Sequence, residues 1–215
     1  MSAIILVRHA QSEHQVGNLV GGWADFGLTE LGRRQADCLA SRLKTELGNA
    51  PCHIYCSDLK RAVQTAEIVG RAVGFAPDPV AALRDIGSGI VTGLPQQEAR
   101  EHFLPPTEPI GDWIAYPDAE SWRQVYARVA AFLESLAGNQ QAVYVLVTHQ
   151  IPAINVIHWW LRLDATVAAR VSFVLSPASI TVLHEEEWGA RTIERLNDTA
   201  HLYAEGLAEG VQLRI

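Results

Sequence analysis

Three stretches of this 215-residue chain carry cationic or imidazole side chains just beyond an apolar run. "LVRHAQSEH" carries Arg8 and His9, "CSDLKRA" carries Ser57, Asp58 and Arg61, and "VLVTHQIP" carries Thr148 and His149. Each follows a short apolar run of the kind that forms a buried parallel strand. The ends of such strands share one edge of a sheet, where open α/β folds place their ligands. Two arginines and two histidines converging there suit a phosphoryl group. Arginine forks match its oxygens in pairs, and helix N-termini at the same edge add N–H donors and partial positive charge. The histidines offer more than binding, because a neutral imidazole is a nucleophile toward phosphorus and splits hydrolysis into two steps. A carboxylic acid must then protonate the leaving oxygen. Asp85, which follows a third strand candidate, is the first carboxylate to consider.

These residues need a scaffold, and the hydrophobic pattern supplies one. Ile4–Val7, Cys52–Cys56, Val80–Leu83 and Ala142–Val147 read as strands, and Ser179–His184 with Ala190–Arg195 as a closing hairpin-like pair. Leu31, Leu39, Leu43 and Leu47 mark a helix capped by Thr29, and Ala62, Ala66, Val69 and Val73 one capped by Ser57. Trp122, Val125, Val129, Leu133 and Leu136 mark a third, and Pro152 suits the first turn of a fourth. Residues 86–118 hold five prolines and read as an irregular, lid-like region with one short helix near Gln96–His102. Strands alternating with helices predict a three-layer α/β/α sandwich, with a mostly parallel sheet covered on both faces, in a single domain over 1–215.

Composition narrows the function classes. An apolar share of 48% with 19% charged residues is that of a globular protein, and a net charge of −7 speaks against nucleic acid as a partner. No run approaches the roughly 18 apolar residues of a membrane span. The N-terminal apolar stretch lacks a basic leader and a cleavage site, so a cytoplasmic protein with no membrane partner is expected. Cys38, Cys52 and Cys56 are odd in number and do not suggest a disulfide framework. Strand alternation makes Cys52, Ile54 and Cys56 small hydrophobes on one face rather than zinc ligands. The eight histidines show no H-E-x-x-H pattern, and no metal is expected.

The stretches "LVRHAQSEH", "LTELGRRQA", "YCSDLKRAVQTAEIV", "ALRDIGSGIVTGLP", "ESWRQVYARV", "VLVTHQIPAIN" and "LNDTAHL" run through most of the chain in one order. With them the sequence resembles the histidine phosphatase superfamily, also called phosphoglycerate mutase-like. The resemblance implies that His9 is phosphorylated, that Arg8 and Arg61 hold the phosphate, and that His149 completes the pocket. Three positions depart from the family pattern. Asp85 stands where a glutamate usually donates the proton, so either Asp85 or a loop carboxylate such as Glu98 or Glu101 serves. Gln15 replaces a common asparagine and Gln150 a common glycine, both on the phosphate-binding side. The activity implied is a cofactor-independent phosphomonoesterase acting on a small phosphorylated metabolite through a phosphohistidine. A phosphoglycerate mutase is the alternative, disfavoured because the 85–118 region holds only Arg100 as a lysine or arginine for a second anionic group. A catalytically weakened phosphate-ligand binding protein is the other. The substrate is the one partner implied, and a homodimer is left open.

Overall fold

In the computed structural model, which describes residues 3–136, 143–168 and 170–208, the chain forms one six-stranded sheet. The strands are β1 (Ala3–Arg8), β2 (Cys52–Cys56), β3 (Pro77–Pro79), β4 (Val143–Thr148), β5 (Ile180–Glu185) and β6 (Arg191–Asp198), in the order β3-β2-β4-β1-β5-β6. β1, β2, β3 and β4 are parallel, while β5 and β6 extend the sheet antiparallel. The helices are α1 (Glu13–Val16), α2 (Glu30–Leu47), α3 (Lys60–Val73), α4 (Gln96–Ala99), α5 (Trp122–Leu136), α6 (Gln150–Trp160), α7 (Ala165–Ala168) and α8 (Ala200–Tyr203).

Alternate residues of the central strands feed two cores. Ile5, Val7, Ile54, Val145 and Val147 meet the apolar faces of α2 and α3 on one side. Ile4, Leu6, Tyr144 and Leu146 meet α5 and α6 on the other. This is the expected three-layer sandwich, and burial on both faces explains why β1 and β4 are apolar without a break. Cys52, Ile54 and Cys56 share the buried face of β2, and burial pushes the Cys56 thiol up to about 12, so it packs as a hydrophobe.

Two expectations need correction. The third strand lies at Pro77–Pro79, not at Val80–Leu83; β3 is the sheet edge, where proline's missing N–H costs no ladder bond. Val80 only closes onto the Cys56 carbonyl, and Ala81–Leu83 turns as a 3-10 helix. Ser57 is likewise not the cap of α3. That helix opens after Leu59, and Asp25 Oδ1 accepts the Lys60 N–H at 2.7 Å, serving the free helix end from another loop. The Thr29 cap is as expected, its Oγ1 accepting from Gly32 N at 2.9 Å. The start predicted at Ala142 falls outside the described residues.

Candidate active site

Register brings the chemistry together. Arg8 of β1 pairs with Thr148 of β4, and Cys56 of β2 with Val147. The residues that follow, His9, His149 and Ser57, therefore leave the sheet on adjacent strands, about 4.8 Å apart per strand. The His9 and His149 rings meet edge to face with centres 5.0 Å apart. Loop 9–12 is held from below. Thr65 Oγ1 accepts from Ala10 N at 3.2 Å, Gln35 Oε1 accepts from Gln11 N at 3.0 Å, and α2 comes so close that a Cβ on Gly32 would meet the Gln11 carbonyl at 1.9 Å. Glycine is required there.

His9 is buried, and its protonation is set by one contact. Nδ1 lies 2.7 Å from the Ala10 carbonyl, which only accepts, so Nδ1 carries the proton and Nε2 keeps its lone pair. Burial, then the fields of Arg61 and Arg8, hold its pKa well below the ordinary histidine value. The result is a neutral imidazole with a free lone pair, the form a nucleophile needs.

Arg61, fully buried, is made tolerable by its donors. Nη2 gives to the Gly22 carbonyl and Nη1 to that of Ala24, each at 2.9 Å, and Nε gives to His149 Nδ1 at 3.2 Å. Without such partners a buried guanidinium costs several kcal/mol. Because Arg61 occupies His149 Nδ1, the His149 proton sits on Nε2 and is donated to Ser57 Oγ at 2.8 Å. Burial and the neighbouring Arg61 push His149, too, far below its usual pKa. Ser57 thus orients a site histidine, a role that its position after a strand did not reveal.

Asp85 enters the same pocket. Its Oδ2 is 3.6 Å from Arg61 Nη2 and 4.0 Å from His149 Nδ1, while Oδ1 accepts from Ile86 N at 3.0 Å. Burial raises its pKa, with Arg61 pulling the other way. The backbone is anchored by two donors to the Asp85 carbonyl, Trp23 Nε1 and Arg128 Nη2, each at 2.8 Å. Arg128 is itself held by Glu120. Thr148 Oγ1 also ties β4 to the Leu83 carbonyl at 2.7 Å. Glu98 and Glu101 are exposed around α4, and neither contacts these groups among the described residues, so the carboxylate at the site is Asp85.

Arg8 and the two glutamines complete the picture. Arg8 Nη1 donates to the Leu175 carbonyl and, at 2.9 Å, to Gln150 Oε1. Gln150 Nε2 in turn donates to the Phe173 carbonyl at 3.0 Å. The Gln150 side chain therefore steers Arg8 instead of filling the pocket, while its backbone N–H lies in the first turn of α6. Gln15 Oε1 accepts from Ser12 N at 3.0 Å and from Ser12 Oγ at 3.2 Å, bracing the start of α1. "LNDTAHL" also finds its use. Asn197 Oδ1 accepts from Ser176 N at 2.6 Å and His201 Nε2 donates to the Ala178 carbonyl at 3.0 Å, fixing the strap that receives Arg8. The Ala178 N–H then bonds the Arg8 carbonyl at 3.0 Å.

Comparison with known proteins agrees with this geometry. The histidine phosphatase superfamily (branch 1) pattern matches residues 4–199. Phosphoserine phosphatase 1 of Hydrogenobacter thermophilus is 32% identical over 209 residues, spanning 94% of this chain and 95% of that protein. A probable phosphoglycerate mutase, GpmB of Yersinia pestis, is 29% identical over 222 aligned positions, covering 97% and 99% of the two chains. Among solved structures, mycobacterial glucosyl-3-phosphoglycerate phosphatase complexed with VO3 superposes with a TM-score of 0.79 at 25% identity, over 93% of this chain and 100% of that one. On the family match and the first of these relatives, the chain belongs to branch 1 of the histidine phosphatase superfamily.

Proposed function

We propose that this protein hydrolyses a small phosphorylated metabolite through a phosphohistidine at His9. The observation that carries the reading is the His9 ring, neutral, with its lone pair on Nε2 and two arginines beside it. Nε2 attacks phosphorus as the bond to the leaving oxygen breaks, and the Asp85 carboxyl gives its proton to that oxygen. The resulting carboxylate takes a proton from water, which attacks the phosphohistidine; the P–N bond breaks and inorganic phosphate leaves. Arg8 and Arg61 offset the charge on the equatorial oxygens. His149 holds Arg61 in the free enzyme. The Gln150 backbone N–H and the Gln15 amide nitrogen supply further donors.

The names of the relatives support a small phosphorylated metabolite as substrate. A mutase needs a second anion site, and Arg100, the one lysine or arginine of 86–118, is exposed directly after α4. Residues 86–118 begin directly after Asp85 and bond to the pocket loop through the Leu19–Pro95 bridge, which suits a specificity-setting cap. No helix among the described residues is long and apolar enough to cross a membrane. Three free thiols favour a reducing compartment such as the cytoplasm. The test is brief exposure to p-nitrophenyl phosphate followed by acid and alkali treatment. An acid-labile, alkali-stable phosphoenzyme, absent in His9→Ala, is expected; normal turnover by His9→Ala would sink the reading.

A further inference from the structure

The place of the Asp85 carboxyl in the pocket is set by its backbone. Among the described residues its one hydrogen bond is local, from Ile86 N to Oδ1 at 3.0 Å. Oδ2 stands 3.6 Å from Arg61 Nη2 and 4.0 Å from His149 Nδ1, beyond hydrogen-bond length from either. The side chain is short, so the carboxyl follows any movement of the chain at residue 85. Residues 84–87, however, lie between two 3-10 turns, Ala81–Leu83 and Gly89–Val91, and belong to no strand or helix. No ladder of backbone bonds holds them.

Two side chains take the place of that ladder. Arg128, in the second turn of α5, donates Nη1 to the Ala82 carbonyl at 2.7 Å and Nη2 to the Asp85 carbonyl at 2.8 Å. Its remaining edge meets Glu120, with Nε giving to Oε1 at 3.0 Å and Nη2 to Oε2 at 2.9 Å. Four of the five guanidinium N–H groups are engaged in this way, so Arg128 is built to hold chain and not substrate. The same carboxylate accepts from Gly87 N at 2.7 Å, while Glu120 N donates to the Gly87 carbonyl at 2.8 Å. Residues 82, 85 and 87 are thus fastened to one ion pair. α5 fixes that pair in turn, because its Val125, Val129 and Leu133 are buried in the core with Ile4 and Leu6 of β1.

We propose that the Glu120–Arg128 pair is a positioning device for the proton donor, setting where the Asp85 carboxyl stands relative to the leaving oxygen. This rests on the reading of Asp85 as the general acid. A displacement of about 1 Å can cost about 10²-fold, and here it should fall on the step that needs the proton. Arg128→Lys tests this. It keeps a charge beside Glu120, but a single ammonium lacks the planar fork that spans the Ala82 and Asp85 carbonyls. kcat for phosphoserine should drop about tenfold or more. kcat for p-nitrophenyl phosphate and the Ki of inorganic phosphate should stay within about threefold, since neither needs the acid. In an Asp85→Asn background the same substitution should change phosphoserine turnover by less than about threefold, because residues acting through one carboxyl are not additive. Glu120→Gln, which keeps the shape and removes the charge that holds Arg128, should shift the ratio of the two kcat values the same way. It carries the test if thermal melts show Arg128→Lys unfolded. Equal losses on both substrates, an unchanged ratio in a folded variant, or a loss that adds to that of Asp85→Asn overturns the proposal. If Asp85→Asn itself spares phosphoserine turnover, it is the reading of Asp85 as the acid that fails.

Discussion

Replacing Asp85 by asparagine separates the proton donor from everything else at that position. The change is isosteric. Oδ1 still accepts the Ile86 N–H, and the backbone stays clamped by Trp23 and Arg128. What goes is an acidic proton and a charge 3.6 Å from Arg61 Nη2. General acid catalysis contributes 10²–10⁴-fold, or about 3–5 kcal/mol of barrier. That loss should appear in kcat for an alkyl phosphate such as phosphoserine, whose leaving alkoxide needs a proton. p-Nitrophenyl phosphate leaves as a stabilised phenolate, so its kcat should fall by less than about tenfold. The electrostatic effect has the opposite sign. At an effective dielectric of 20, unit charges at this separation interact by about 4–5 kcal/mol, an upper bound for a carboxyl that is 18% exposed. Above the pH at which Asp85 loses its proton, Arg61 freed of that competitor should bind inorganic phosphate more tightly in Asp85→Asn. Burial raises the Asp85 pKa, which keeps its proton to higher pH; alkyl-phosphate turnover should decline as pH rises through that value, and the variant should lose this limb. Equal kcat losses on both substrates across pH 5–8 would refute the assignment.

Other consequences can be measured on the same preparations. Gln150→Ala removes the 2.9 Å bond that steers Arg8, a loss of about 1 kcal/mol in phosphate binding; KM should rise several-fold with kcat nearly unchanged, and an unaltered KM would show that Arg8 needs no such guide. Stability should fall as pH drops below about 6.5. His9, His14 and His149 all have depressed pKa values when folded, so the unfolded chain binds more protons there and gains from acid. Asp85, with its raised pKa, works in the opposite sense, but one carboxyl faces three imidazoles. Melting temperatures measured from pH 7.5 to 5 should decline, and a flat profile would contradict the burial of neutral histidines.

How much of this was legible in the chain depends on how local the cause is. Arg8, His9, Arg61 and His149 could be read because each sits at the end of an apolar run or in the helix turn beyond, and hydrophobic periodicity is written in consecutive residues. The edge strand was misplaced because Pro77–Pro79 carries no strand-like pattern; its pairing with β2 alone makes it one. Ser57 read as a cap by the same local logic, yet the partner that claims it is 92 residues away.

The sequence by itself determined which groups meet at the sheet edge, since a parallel sheet of these strands has only one edge for their C-terminal ends. It also determined that a phosphoryl group is what such groups suit. Tertiary structure decided the state of those groups. The Ala10 carbonyl assigns the His9 proton, and Arg61 that of His149. Asp85 rather than Glu98 or Glu101 faces the arginine, and Gln150 serves Arg8. Tautomer, pKa and reach depend on what stands within a few ångströms in space, and those neighbours are set by strand register and loop packing, which no stretch of sequence contains.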